Sequence, residues 1–291
     1  MSIVRFKKNG SAALGLLDGE EVIDLSSVAS AFPTDIADLL RADPCALNAV
    51  STNPPARANR LPVEAVQFLP PTESAGKIIC LGLNYVDHAA EGGQPKPGYP
   101  IVFFRAASSL IGHRAPLIRP RCSQQLDFEG ELVAIVGRRA RHIAREDAHS
   151  VIAGYSVFND ASIRDYQFKT PQWTIGKNFD GTGGFGPGFV AADRLPPGAK
   201  GLRIETRLNG DVVQRADTRD MIFDVAETVA LICEGITLEP GDLLVMGTPS
   251  GVGVARKPPL WMKPGDICEV EIEGVGLLSN PVEQEPAAAD S

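Results

Sequence analysis

Residues 126–137 read as one strand whose apolar side chains occupy both faces beyond Glu131, so the chain must bury this segment on two sides. Side chains alternate along a strand, which puts Asp127, Glu129, Glu131, Val133 and Ile135 on one face and Leu126, Phe128, Leu132, Ala134 and Val136 on the other. Two carboxylates, Glu129 and Glu131, then stand together at the head of a strand entering a core. A buried carboxylate is kept only by a proton, a basic partner or a metal. No Lys or Arg follows until Arg138. An all-oxygen donor set of this kind suits a hard divalent ion, Mg or Mn, with Ca compatible and Zn disfavoured. A third acid, Asp160, closes another apolar strand about thirty residues on. It is a third ligand for the same ion, or the N-cap of a helix over 161–167.

A chain of 291 residues can bury one large domain, or a large and a small one. Its net charge of -8 argues against nucleic acid as a partner, and no apolar run reaches membrane-spanning length. The amino terminus lacks the long apolar core of a signal peptide, which points to the cytosol. Cys45, Cys80, Cys122, Cys233 and Cys268 have no C-x-x-C spacing, so free thiols are expected. The four histidines have no zinc-helix spacing.

Residues 1–70 read as a small α/β unit, with strands over 3–6, 12–17 and 21–25, a helix over 36–40 and another over 45–49. A Pro-rich stretch ends in a linker over 69–76. The principal domain, 77–283, shows many short strands between glycines and prolines: 78–81, 101–104, 132–136, 154–158, 189–191, 204–208, 243–246 and 268–272. Helices are expected over 147–152 and 222–233, the latter from Val225, Val229 and Ile232. A tail over 284–291 reads as flexible. This pattern fits an α+β, mostly β fold with antiparallel or mixed sheets better than regular β-α alternation.

Several polar residues are placed for chemistry. His88 and Glu91 are i and i+3 neighbours on a short helix, so the carboxylate can hold one imidazole nitrogen and leave the other as a base; the alternative is a surface acid beside a packed histidine. Lys177 either neutralises the acid cluster or binds a substrate carboxylate, unless it is a surface lysine. On a helix Gln167 would share a face with Asp160, and Arg164 would pair with Asp165 or a neighbour. The run Gly247-Thr248-Pro249-Ser250-Gly251-Val252-Gly253 lacks the ending of a phosphate loop, but Thr248 offers a hydroxyl to an anion.

Six blocks, in order, resemble the fumarylacetoacetate hydrolase family: Gly82-Leu83-Asn84-Tyr85 with His88 and Glu91; Ser108-Ser109-Leu110-Ile111-Gly112; Leu126-Asp127-Phe128-Glu129-Gly130-Glu131-Leu132; Gly154-Tyr155 with Asn159-Asp160; Gly176-Lys177; and Leu238-Glu239-Pro240-Gly241-Asp242 with the run from Gly247 to Gly253. The resemblance implies a mixed β-roll catalytic domain, assembled as a homodimer. It implies Glu129, Glu131 and Asp160 as ligands of Mg or Mn, His88, Glu91 and Lys177 as catalytic groups, and Arg105, Gln167 and Thr248 as substrate contacts. The implied partner is a small anionic 2-oxo acid. The implied reaction is hydrolysis of the carbon-carbon bond of a 2,4-dioxo acid, an acylpyruvate or a 2,4-diketo-3-deoxy sugar acid, with release of pyruvate enolate. The alternative is a tautomerase, isomerase or decarboxylase acting on oxaloacetate or an aromatic-degradation diacid. Two departures bear on the substrate's far end. Arg stands at 105 where members often have Lys, and 181–187 is richer in glycine than usual, implying an adaptable pocket wall.

Overall fold

The structure, a computed structural model, describes residues 1–29, 32–43, 50–52 and 54–287; the helix expected over 45–49 and the last residues of the tail lie outside these. In chain order the strands are β1 (Ser2–Lys8), β2 (Ser11–Asp18), β3 (Glu21–Asp24), β4 (Asn59–Pro62), β5 (Gln67–Leu69), β6 (Ile78–Gly82), β7 (Ile101–Phe104), β8 (Leu110–Ile111), β9 (Leu117–Arg119), β10 (Leu126–Asp127), β11 (Gly130–Val136), β12 (Ile152–Asp160), β13 (Ser162–Ile163), β14 (Gly183–Ala191), β15 (Arg203–Leu208), β16 (Asp211–Asp217), β17 (Leu243–Val245), β18 (Ile267–Ile272) and β19 (Gly276–Gln284). The fold is α+β and mostly β.

A long mixed sheet runs β4-β3-β2-β1-β14-β12-β11-β17-β6-β7, and a second sheet runs β16-β15-β18-β19-β9. The central strand β11 is buried along its whole length. Its alternation divides two cores as the sequence pattern requires. Leu132, Ala134 and Val136 join the cluster under the helix Val225–Gly235, while Val133 and Ile135 join the cluster shared with β1, β2 and β14. Each of these Leu, Val and Ile side chains contributes on the order of 1.5–3 kcal/mol. That helix starts at Val225, three residues later than the periodicity suggests, capped by Asp224, whose carboxylate accepts from the Glu227 N–H. The helix expected over 147–152 is instead a 3-10 turn, Arg145–Val151, because Ile152 already belongs to β12.

The amino-terminal strands are tied into the main sheet. β1 pairs with β14 through Ile3 opposite Phe189 and Val4 opposite Gly188. Ile3, Leu14, Leu16 and Ile36 share one core with Val133, Ile135 and Phe158. The stretch between them is pinned rather than loose, since the buried Asp35 carboxylate accepts from Thr72 Oγ1 at 2.6 Å, Glu73 N–H at 2.9 Å and Ala37 N–H at 2.8 Å. At the other end β19 carries the chain to Gln284 in register with β9, so the first residue assigned to the tail is paired.

Of the glycines in 181–187, Gly183, Gly184 and Gly186 are absent from the lining of the large cavity described below, while Gly181 lines a separate surface pocket. The glycines from Gly183 on belong to β14, buried throughout, where a side chain on Gly184 would meet Asn280 at 2.9 Å and one on Gly188 the Ile3 carbonyl at 2.6 Å. Their role is close strand packing, which corrects the adaptable pocket wall expected for this segment.

His113 joins β5 to β19: its Nδ1 accepts from the Ser279 N–H at 3.1 Å and its ring meets Phe68 edge-on at 5.1 Å. Burial, with the Arg114 charge beside it, pushes its pKa down to about 4. The unfolded chain takes up this proton near pH 6.5 and the folded chain resists it. Stability should therefore fall by up to about 3 kcal/mol between roughly pH 6.5 and pH 4. Urea unfolding across this range should show a flatter profile for His113→Asn, which keeps an acceptor and cannot titrate.

Candidate metal centre and its cavity

The run expected as one strand breaks after Asp127. Phe128 and Glu129 lie between β10 and β11, and their backbone is held by side chains: the Glu129 N–H donates to Asn159 Oδ1 and the Gly130 N–H to Gln214 Oε1, both at 3.0 Å. Gly130 separates the two glutamates because the second sheet presses there; a Cβ would lie 2.2 Å from Thr206 Oγ1. The Asp160 N–H donates to the Glu129 carbonyl at 2.8 Å, which brings the end of β12 against the head of β11.

Glu129, Glu131 and Asp160 are all buried, and one carboxylate oxygen from each lies within 4.8 Å of the others. Asp160 is thus a member of the triad and not an N-cap, because the helix Arg164–Gln167 begins after Ile163. Asp127 shares the expected strand face but stays out of the triad, turning to the Gly253 and Val254 amides while Arg164 keeps it in the charge cluster.

Three cations compensate the acids, all from outside the strand. Lys177 is 2% exposed and is no surface lysine; its Nζ lies 2.5 Å from both Glu129 Oε2 and Asp160 Oδ2. Arg164 reaches Asp127 at 2.8 Å and Glu129 at 2.6 Å, not Asp165, which accepts from Ser123. Arg105 pairs with Asp160 and also donates to Thr182 Oγ1 at 2.7 Å. Arg105 therefore sits behind Asp160 and is absent from the residues that line the cavity. Sequence reading missed Arg164 as the partner of Glu129 and Asp127; the Arg164 and Gln167 spacing, i and i+3, was the available signal.

These groups fix the electrostatics. Burial opposes ionisation of Glu129, but the Lys177 and Arg164 charges, with His88, bring it down to about 2. Burial also opposes the Lys177 charge, and Asp160 and Glu129 outweigh it, holding the ammonium above the ordinary lysine range. Glu131 behaves oppositely. Burial and the negative charges of Asp160 and Glu129 push it well above the usual carboxylate range, against the Lys177 charge and one amide, the Gly247 N–H at 2.5 Å. Among the described residues Glu131 takes no salt bridge, so four acids face three cations with one acid in excess. An all-oxygen triad with one surplus carboxyl fits a hard divalent cation, for which Glu131 gives up its proton.

The cluster opens onto a cavity of about 770 Å³ lined by Glu129, Glu131, Lys177, His88, Glu91, Gln167 and Thr248, among others. His88 Nδ1 lies 3.4 Å from Glu91, whose carboxylate is anchored by the Gly251 N–H at 3.0 and 3.1 Å. Gln167 reaches the wall from its short helix, while Asp160 lies on β12, so they share no helical face. Gln167 Oε1 already accepts from Arg164 at 2.9 Å, which leaves its NH2 to donate. Thr248 Oγ1 accepts from Gln214 at 2.8 Å, which leaves its hydrogen to donate. Lys177 has one hydrogen beyond the two that meet acids. The wall thus presents committed donors, as recognition of an anion requires.

The family model for the fumarylacetoacetate (FAA) hydrolase C-terminal domain matches residues 77–283. An oxaloacetate tautomerase of Xenopus laevis, named as mitochondrial, is 38% identical over 97% of this chain and 90% of its own. The solved structure of a fumarylacetoacetate hydrolase from Exiguobacterium antarcticum is 34% identical with a TM-score of 0.85, covering 98% of this chain and all of that one. A maleylpyruvate hydrolase from Sphingobium, solved with manganese(II) and pyruvate, is 28% identical with a TM-score of 0.81 over 98% of this chain and all of its own.

Replacing Glu131 by Gln removes the surplus acid and a ligand together. The metal-free variant should melt no lower than the parent, while Mn2+ at ~100-fold over its Kd, which should stabilise the parent by about 2.7 kcal/mol, should leave the variant unmoved. Lys177→Met should do the reverse, costing about 3–5 kcal/mol without metal and regaining part of it when Mn2+ is added. Differential scanning calorimetry with and without the ion reads both.

Proposed function

Because this chain belongs to the fumarylacetoacetate hydrolase family, and its acid triad opens beneath a wall of hydrogen-bond donors, we propose that it binds a small 2-oxo acid at a Mg2+ or Mn2+ held by Glu129, Glu131 and Asp160 and moves a proton on it. The reaction read here is keto-enol interconversion of a 2-oxo diacid of the oxaloacetate kind, which is the activity named for the Xenopus relative. The observation that carries it is the His88 and Glu91 pair on the wall of the same cavity as Glu129 and Glu131.

A bound divalent ion would draw electron density from the 2-oxo group and make the neighbouring carbon more acidic. The remaining work falls to the chain. With Nδ1–H donated to Glu91, His88 keeps Nε2 free to take a proton from the enol oxygen or from C3 and return it to the other. The Gly251 amide fixes Glu91, and so the imidazole plane. Thr248, Gln167 and Lys177 donate to the oxygens that carry negative charge as the proton leaves. A second reading, hydrolysis of a 2,4-dioxo acid, is supported by the same pair, since a base so placed can also deprotonate water, and by the Sphingobium enzyme. We further read the protein as a cytosolic homodimer, on its free thiols Cys80, Cys122, Cys233 and Cys268 and on the exposed Ile101, Val102 and Phe104 of edge strand β7.

With Mn2+ or Mg2+ present, loss of the enol absorbance of oxaloacetate should accelerate without pyruvate release in a lactate dehydrogenase couple. Pyruvate released from acylpyruvates at a higher kcat/KM would move the assignment to the hydrolase, and metal-independent turnover would overturn both. His88→Asn should lower kcat by roughly 10²–10⁴ while keeping the Mn2+-induced rise in Tm.

A further inference from the structure

Segment 247–255 forms one wall of the cavity through Thr248, Val252 and Val254. It hangs by its amides from three carboxylates on three different elements. The Gly247 N–H donates to Glu131 at 2.5 Å, and the Gly251 N–H to both oxygens of Glu91. The Gly253 and Val254 N–H groups donate to Asp127 at 2.7 and 2.9 Å. Glu131 and Glu91 belong to the site already described. Asp127 is 0% exposed and is not among the residues lining this cavity.

Asp127 is fully used. Oδ1 accepts from the Phe128 and Gly253 amides, and Oδ2 from the Val254 amide and Arg164 Nε at 2.8 Å. Only an ionised carboxylate can accept from four donors at once. The same Arg164 holds Glu129 and Gln167 with its other nitrogens. One buried group therefore joins the wall to the guanidinium that carries a triad member. The loop is built for this approach: a Cβ on Gly253 would lie 2.5 Å from Asp127 Oδ1 and 1.9 Å from the Leu260 carbonyl.

We infer that Asp127 is a positioning residue, setting the distance between the 247–255 wall and the Glu129 side of the acid cluster without touching a ligand. Asp127→Asn keeps the shape but turns one acceptor into a donor, so part of the donor set loses its partner. The binding consequence rests on the proposed function; the loop consequence does not.

The test is hydrogen exchange of the Mn2+-loaded protein, read by mass spectrometry, together with steady-state kinetics on oxaloacetate. In Asp127→Asn the amides of 251–255 should exchange on the order of tenfold faster, with β11 and β12 unchanged. KM should rise on the order of tenfold while kcat changes less than about threefold, whereas a merely structural role would lower Tm and leave KM alone. Gly253→Ala breaks the same contact from the loop side, so the double variant should exchange no faster than the faster single one. Unchanged exchange in 251–255, or effects of the two substitutions that multiply in full, would overturn the inference. Absence of turnover in the parent protein counts against the proposed function alone, and the exchange data then decide the role of Asp127.

Discussion

The structure depends on a buried cluster in which four carboxylates, Asp127, Glu129, Glu131 and Asp160, face three cations, Arg105, Arg164 and Lys177. Uncompensated, each charge would lose several kcal/mol of hydration. Compensation here is distributed: Lys177 bridges Glu129 and Asp160, Arg164 bridges Asp127 and Glu129, and Arg105 backs Asp160. The unmatched member is Glu131. A site short of one positive charge is a site for a cation, and with a divalent ion in place its balance turns positive, which suits an anionic oxo acid.

The fold serves this cluster by bringing two sheets together at the head of β11. Gly130 lets Thr206 and Val270 of the second sheet close over the gap between the glutamates. Asn159 and Gln214 supply hydrogen bonds where the strand ladder breaks. The amino-terminal strands contribute from a distance, since β1 extends the sheet at β14 and shares the core that backs Val133 and Phe158. The helix Val225–Gly235 closes the opposite face.

Much of the site was legible because ligand chemistry leaves local marks. Glu129 and Glu131 at a spacing of two, Asp160 at the end of an apolar strand, and His88 three residues before Glu91 each point to a face that a strand or a helix turn creates by itself. Lys177 was legible as a cation near acids, though not its depth of burial. The pairing of Arg105 with Asp160 was not legible, because sequence gives a residue's charge without its direction. Asp127 followed the right alternation yet turned away, because the strand breaks after it and backbone amides 126 residues later draw its carboxylate. The glycines of β14 looked like a flexible wall, but their meaning lay in Asn280 and Ile3, which approach only in the folded chain.

By itself the sequence determined the mostly β class, the Glu129 and Glu131 pair and the histidine-glutamate spacing, since periodicity and short spacing are properties of neighbouring residues. Tertiary structure alone decided which cation answers which acid, that Glu131 is the acid left over, and that the 247–255 wall hangs from Glu131, Glu91 and Asp127. Those outcomes depend on burial and on contacts between residues far apart in the chain, and the free energy of a buried charge is set by its surroundings, not by its neighbours in sequence.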